Sequence, residues 1–250
     1  MEDQKASSAP KYRWFTIFAG GYLIYLLILL GIFAAFMIPV FRTIANHPST
    51  PPVTLVPTPY ILVHAPADKT RIRFEDFSST LGDWSLLYSN GKIETVNGKL
   101  ILQSNDRDYP AVGENQSFIS IDDVYYVQAD FMTDVDADRP YGLVFGMNNT
   151  LDTFYLFEIL PRSTQFSLYK YAPGKWNALI PFSYSEMNPY PGVNTLSAYF
   201  NKGQIELYIN GNLAASYTDQ QPYRYAGVGA LVNNSSYRLI VDNFFAYSGK

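Results

Sequence analysis

The chain contains no cysteine. Disulfides, thiol nucleophiles and Cys-ligated zinc are excluded, so an exported domain must rely on its core alone. Histidine is almost as scarce. There are two, His47 and His64, and none after residue 70. Residues 71–250 therefore cannot build a Ser-His-Asp or Cys-His arrangement, nor a His-ligated metal site. Chemistry there is left to carboxylates, Lys, Tyr or a bound cation. Charged residues are only 16% of the chain, and positive charge is short beyond residue 70. In that part 13 Lys and Arg face 19 Asp and Glu, a net of −6. An acidic surface is repelled by phosphate backbones, so nucleic acid is not an expected partner.

From Trp14 to Phe41 charge is missing altogether, with no Asp, Glu, Lys, Arg or His over 28 residues. As a helix this stretch would be about 42 Å long, more than the roughly 30 Å of a hydrocarbon core. It predicts a single transmembrane α-helix over 14–41, with the lipid bilayer as its partner. Signal-peptide apolar regions run only about 7 to 15 residues, which argues against a cleaved leader. Lys5, Lys11 and Arg13 precede the span, whereas Arg42 is followed by no Lys or Arg until Lys69. That asymmetry predicts a cytoplasmic tail over 1–13 and an extracytoplasmic C-terminal domain, a single-pass protein of the cell membrane.

Residues 42–70 form a proline-rich linker. Six of the 16 prolines fall between 43 and 70, where lost donors and fixed φ forbid a helix or central strand. Both histidines read as solvated linker residues.

What is abundant is aromatic: 21 Tyr and 17 Phe. From residue 71 the pattern is β throughout, and aromatics suit a pleated surface. Asn97-Gly98 and Asn210-Gly211 each separate two short apolar runs, the signature of a two-residue hairpin. Asn90-Gly91 is a weaker third instance. Strands are expected at 118–121, 125–133, 141–147, 153–160, 165–171, 176–184, 195–200, 225–232 and 237–247, about 13 in all with the hairpins. Without βαβ alternation this predicts a closed or sandwiched antiparallel architecture.

Several short motifs follow one another in order: Asp76-Phe77…Trp84, Tyr208-Ile209-Asn210-Gly211 with Asp219, Gly227-Val228-Gly229, and Val241-Asp242-Asn243-Phe244. Together they resemble the concanavalin A-like jelly roll, and more closely laminin-G-like and 3-keto-disaccharide hydrolase-type domains; Val241 departs from the usual Phe. The resemblance implies an all-β, concanavalin A-like jelly-roll sandwich of two antiparallel sheets over 71–250, behind the transmembrane helix. Members of that family mostly bind glycans or proteins, and some hydrolyse glycosides.

Strand alternation nominates the ligand-binding residues. Tyr169 and Tyr171, Tyr199, and Glu206 with Tyr208 alternate with core-facing apolar residues, and their shared polar-aromatic surface would suit a sugar if they lay on one sheet. The alternative is that Tyr simply favours exposed strands. Trp176 reads as core or as a platform for a ligand, and Trp84 as core. Glu158 interrupts a strand that is apolar on both sides. It is either paired structurally, with Arg162 or Lys170, or placed in a groove. The retaining-hydrolase triplet E-x-D-x-x-E is absent, so catalytic residues are not assigned.

Asp134, Asp136 and Asp138 make D-x-D-x-D, but an EF-hand would need Gly at Arg139 and Glu at Phe145, so a solvated turn is expected. No cofactor is expected; a structural calcium ion, with Asp76 or Asp242 contributing, is the one exception the resemblance suggests. Asn115, Asn148, Asn233 and Asn234 begin glycosylation sequons.

The functional expectation is a non-catalytic, membrane-anchored, lectin-like module binding glycan or another surface polymer. The alternatives are a glycoside hydrolase-like enzyme using Glu158 with a second acid such as Glu206, and a protein-interaction module of an envelope complex.

Overall fold

Tight turns in the left-handed region set the strand boundaries. Asn97 (φ 51°) and Gly98 (φ 70°) close one hairpin, and Asn210 (φ 52°) and Gly211 (φ 81°) close another, as both positions of a type I′ turn require. Asn90-Gly91 is different. It closes no hairpin and joins two strands of different sheets, with Asn90 Nδ2 donating to Pro110 O.

In a computed structural model of the chain, residues 72–78, 81–115, 123–148, 150, 152–233 and 235–248 are described. They belong to one compact unit, Pro57–Lys250. The strands are β1 (Ile72–Glu75), β2 (Trp84–Leu86), β3 (Gly91–Val96), β4 (Lys99–Ser104), β5 (Ala111–Asn115), β6 (Val124–Thr133), β7 (Tyr141–Met147) and β8 (Phe154–Leu160). They continue with β9 (Gln165–Ala172), β10 (Lys175–Tyr184), β11 (Asn194–Asn201), β12 (Gln204–Ile209), β13 (Asn212–Thr218), β14 (Gly227–Val232) and β15 (Leu239–Ser248). The described helix content is one 3-10 turn, Pro161–Ser163. No described helix is long and apolar enough to cross a membrane. The span predicted at 14–41, the linker at 42–70 with its histidines, and the strand at 118–121 lie outside the described residues.

Two antiparallel sheets form a sandwich. One runs β13-β12-β11-β6-β15-β4-β3, with β1 also paired to β15. The other runs β10-β9-β8-β7-β14-β5-β2. Alternate residues from both sheets meet in one core, including Phe131, Leu196, Phe200, Leu207 and Val241 from the first and Leu143, Phe157, Phe166, Leu168 and Val228 from the second. In β11 and β12, where Leu196, Ala198 and Phe200 and then Ile205, Leu207 and Ile209 face inward, that alternation selects the register, because a one-residue slip would turn each set outward.

The scattered motifs converge in space. Trp84 is core, as expected, and packs edge-on against Phe77 (5.7 Å) and Phe244 (5.1 Å), so the opening and closing motifs form one aromatic knot. Asn243 sits at φ 48° in a bulge of β15 against β6, and its amide donates to Asp130 Oδ2 at 2.8 Å. A residue tolerant of left-handed backbone is needed there, which explains Asn after Asp242.

Candidate functional site

Glu158 lies in β8 between Phe157 and Ile159, which point into the core. Strand alternation puts Glu158 on the opposite face of the seven-stranded sheet, beside Leu156. It is 4% exposed. Its expected salt-bridge partners are otherwise engaged: Lys170 pairs with Asp219 and Arg162 approaches Asp136. Glu158 instead accepts from Ser167 Oγ, directly across the ladder in β9, at 2.8 Å, and from Asn233 Nδ2, just beyond β14, at 3.2 Å. Burial pushes its carboxyl up to about 7, and the bonds from Ser167 and Asn233 only partly oppose that rise. Structural pairing with a cation is thus replaced by two neutral donors, because the strand pairing sets Ser167 and not Lys170 opposite Glu158.

Around it lies a groove of about 530 Å³. That size falls among small-molecule sites, about 300–1,000 Å³. Leu156, Glu158 and Leu160 of β8 line its middle. Tyr169, Trp176 and Phe182 stand on the β9–β10 side, and Asp138, Arg139, Pro140 and Asn233 on the other. Trp176 is 45% exposed, which corrects the reading of it as core. It is held by rings: Tyr171 at 4.6 Å, Phe154 at 5.9 Å and Tyr169 at 6.1 Å. The indole is thus braced by three rings while nearly half of the residue stays open to solvent, as an aromatic platform requires. Register shifts in β10 between Ala178 and Ser183 twist that edge strand, and they bring Phe182 to the same groove. The phenol of Tyr169 is raised by its burial and then by the nearby carboxyl of Glu158.

The nominated residues divide between two faces. Glu158, Tyr169, Tyr171 and Trp176 gather on the seven-stranded sheet. Tyr199, Glu206 and Tyr208 belong to β11 and β12, in the eight-stranded sheet, and face away from the core on the other side of the sandwich. The condition for one shared surface of Tyr169, Tyr171, Tyr199, Glu206 and Tyr208, that their strands lie on one sheet, is not met. Alternation placed each side chain on the correct side of its own strand, but it carries no information on which sheet a strand joins. The same division removes Glu206 as a second acid for Glu158. On its own face Glu206 accepts from Tyr208 Oη at 2.5 Å. There Tyr126 stacks on Tyr247 (5.5 Å) and donates to Gln128 Oε1 (2.7 Å), with Tyr199 packed alongside.

Asn233, Ser167, Asp138, Arg139 and Phe182 were not nominated as binding residues. Of these, Arg139 and Phe182 carried no binding signal, whereas Ser167 alternates with core residues beside Tyr169, Asn233 begins a sequon and Asp138 lies in the D-x-D-x-D run. In that run Asp134 pairs with Arg238 and Asp136 with Arg162. Among the described residues no group of three acidic or histidine side chains could hold a metal ion. Asp242 is paired with Lys99, and Asp76 caps the backbone N–H of Ser78.

A second network joins the two sheets at one edge. Asp219, which follows β13, accepts from Tyr155 Oη (2.6 Å) and Lys170 Nζ (2.7 Å), and Lys170 also donates to Gln221 O and lies 4.4 Å over the Tyr223 ring. Burial works against the charge of Asp219, but these donors outweigh it and hold the carboxyl below the usual range.

No known family model matches the chain, and no curated protein matches its sequence. Solved structures do share the fold. A carbohydrate-binding module, CBM66, from Bacillus subtilis superposes with a TM-score of 0.56 at 14% identity, over 66% of this chain and 96% of that one. A Bacillus subtilis protein of unknown function with a galectin-like fold gives 0.57 at 12% identity, over 70% and 94%. A Bacillus licheniformis beta-glucanase gives 0.54 at 13% identity, over 73% and 100%. The described β-sandwich is thus a galectin-like, concanavalin A-like jelly roll.

Proposed function

We propose that this protein is a membrane-anchored, lectin-like module that binds glycan outside the cell without turning it over. The observation that carries the reading is the groove itself, with a half-exposed, ring-braced Trp176 on one side and hydrogen-bonding Glu158 and Asn233 on the other. A sugar offers an apolar C–H face and a rim of hydroxyls, so it needs an aromatic platform beside polar groups. The presence of a carbohydrate-binding module among the structural neighbours supports this use of the fold. The uncharged stretch at 14–41 and the prolines after it support a tether that presents the domain beyond the bilayer. A glycan array probed with the full-length chain in detergent tests the binding. A reproducible family of hits that Trp176→Ala abolishes is expected; a flat response across all sugars overturns the reading. Protease added to intact cells tests the topology, and a C-terminal domain that stays protected would refute it.

One observation favours a hydrolase instead. Asp138 shares the groove with Glu158, whose proton is retained up to near neutral pH, as a general acid requires. The other buried acid on that face, Glu114, lies three strands away along the row Leu156, Val144, Gly229. That is about 14 Å of lateral spacing, beyond the roughly 5–9.5 Å of a glycosidase pair. Release of reducing ends from any array hit, lost in Glu158→Gln, would establish the enzyme.

A further inference from the structure

Glu158 is a buried acid with no counter-ion among the described residues. Its carboxyl touches two neutral donors, and among the described residues it forms no ion pair. Ser167 uses one acceptor position on Oε1 and Asn233 one on Oε2, which leaves one lone pair on each oxygen. Lys170, on the other face of the sheet, is committed to Asp219, and Arg139 reaches the groove without pairing to Glu158. Ionising such a group costs free energy that the two neutral donors return only in part and that an opposite charge would offset further. The missing charge can come from a ligand.

We infer that the groove selects a glycan bearing a free primary ammonium, an amino sugar that is not acetylated, with Glu158 as the ammonium's counter-ion. The inference rests on the glycan reading above. An ammonium presents three donors and no acceptor, which matches the two vacant lone pairs of Glu158. The sugar ring stacks on Trp176, and Phe182 shares that side of the groove. Asp138 and Arg139 in the same groove offset one another in charge, which leaves Glu158 as its unbalanced acid, and the net of −6 after residue 70 draws cations towards the domain. An acetylated nitrogen carries no charge and a hydroxyl adds none, so neither offsets the ionised Glu158.

Binding also moves a proton. Below about pH 6 the weakly basic amine of an amino sugar is charged, so the ligand arrives as R–NH3+ and the protonated Glu158 loses its proton to solvent as the pair forms. The ionisable groups facing Glu158 are Tyr169 from β9, and Asp138 and Arg139 from the β6–β7 connection; Tyr237 Oη, nearby, bonds Arg139 O and Pro140 O. Residues 71–250 contain no histidine to titrate alongside Glu158. Loss of the release in Glu158→Gln assigns the proton to Glu158.

The experiment is titration calorimetry on the full-length chain in detergent, with three hexasaccharide probes: β-1,4-linked glucosamine, its N-acetylated counterpart and the glucose counterpart. A lysine-rich peptide and spermidine serve as ammonium controls. The amino-sugar hexamer should bind at least about tenfold tighter than the other two at pH 7, and about tenfold tighter at pH 7 than at pH 5. Wild-type protein run at about pH 5.5 in two buffers of different ionisation enthalpy should show net proton release, a readout that needs no variant. Glu158→Gln should erase both the preference and the proton release. Equal affinity for all three sugars overturns the inference and leaves the glycan reading standing. No binding by any sugar, with the fold intact by circular dichroism, sinks both. Lysine peptide or spermidine binding as tightly as the amino sugar overturns the assignment to a sugar.

Discussion

Ser167 Oγ donates a 2.8 Å hydrogen bond to Glu158 Oε1 directly across the β8–β9 ladder, so a carboxyl that would otherwise be stranded inside a sheet is held by the neighbouring strand. That bond fixes where the carboxyl points and leaves its charge unbalanced. The pH behaviour of the domain follows from it.

A carboxyl raised from the ordinary value to about 7 favours the folded state when protonated. Its contribution is fully present below the unfolded value of about 4.3–4.5 and is lost as pH rises to about 7. Over that window the wild type should lose on the order of 3 kcal/mol relative to Glu158→Gln, since each tenfold change in proton affinity between the folded and unfolded states is worth about 1.4 kcal/mol. Urea unfolding of both proteins across pH 4 to 8 checks this. Parallel stability profiles would mean that Glu158 is not the buried acid described.

Trp176→Ala should abolish or weaken glycan binding by about tenfold or more while changing stability by no more than about 1 kcal/mol, because the ring is 45% exposed. Glu206→Gln, on the opposite sheet, should leave binding unchanged. Titration calorimetry with an array hit, alongside thermal melts, separates the two faces. A loss of binding in Glu206→Gln with Trp176→Ala silent would move the site to the other sheet.

Asp219→Asn should destabilise the fold by about 3 kcal/mol. It strands Lys170, whose side chain is 14% exposed, and weakens the bond from Tyr155. Chemical denaturation measures it. A double-mutant cycle with Lys170→Met should recover part of the loss, since no unpaired buried charge then remains.

Asn210→Ala should cost about 1–3 kcal/mol. Asn210 holds φ 52°, accepts from Thr195 N at 2.9 Å and donates to Asn194 Oδ1 at 3.0 Å. Asn210→Gly keeps the backbone freedom and loses only the side-chain bonds, so the difference between the two variants measures the turn strain.

The strand content of 71–250 was readable because period-2 alternation and Asn-Gly turns are local signals. The predicted strand at 141–147 coincides with β7, and 165–171 falls one residue short of β9. Lys202-Gly203, with φ 50° and 92°, closes a further hairpin that the sequence did not advertise, since Lys rarely takes that backbone. For the site, Glu158 stood out as a carboxylate in an apolar strand and Tyr169 and Tyr171 through alternation, whereas Trp176 read as core or platform. Asn233 lies 75 residues from Glu158 and Asp138 lies 20 away, and no local pattern ties either of them to it.

The sequence by itself determined the facing of strands whose apolar and polar residues alternate, such as β11 and β12, because that pleat depends only on their own residues; β8, apolar on both sides, carried no such signal. It also determined that no cysteine or histidine chemistry is available after residue 70. Which strands share a sheet was decided by tertiary pairing, through hydrogen bonds between segments far apart in the chain. That pairing put Glu158 with Trp176 and sent Glu206 and Tyr208 to the opposite side of the sandwich.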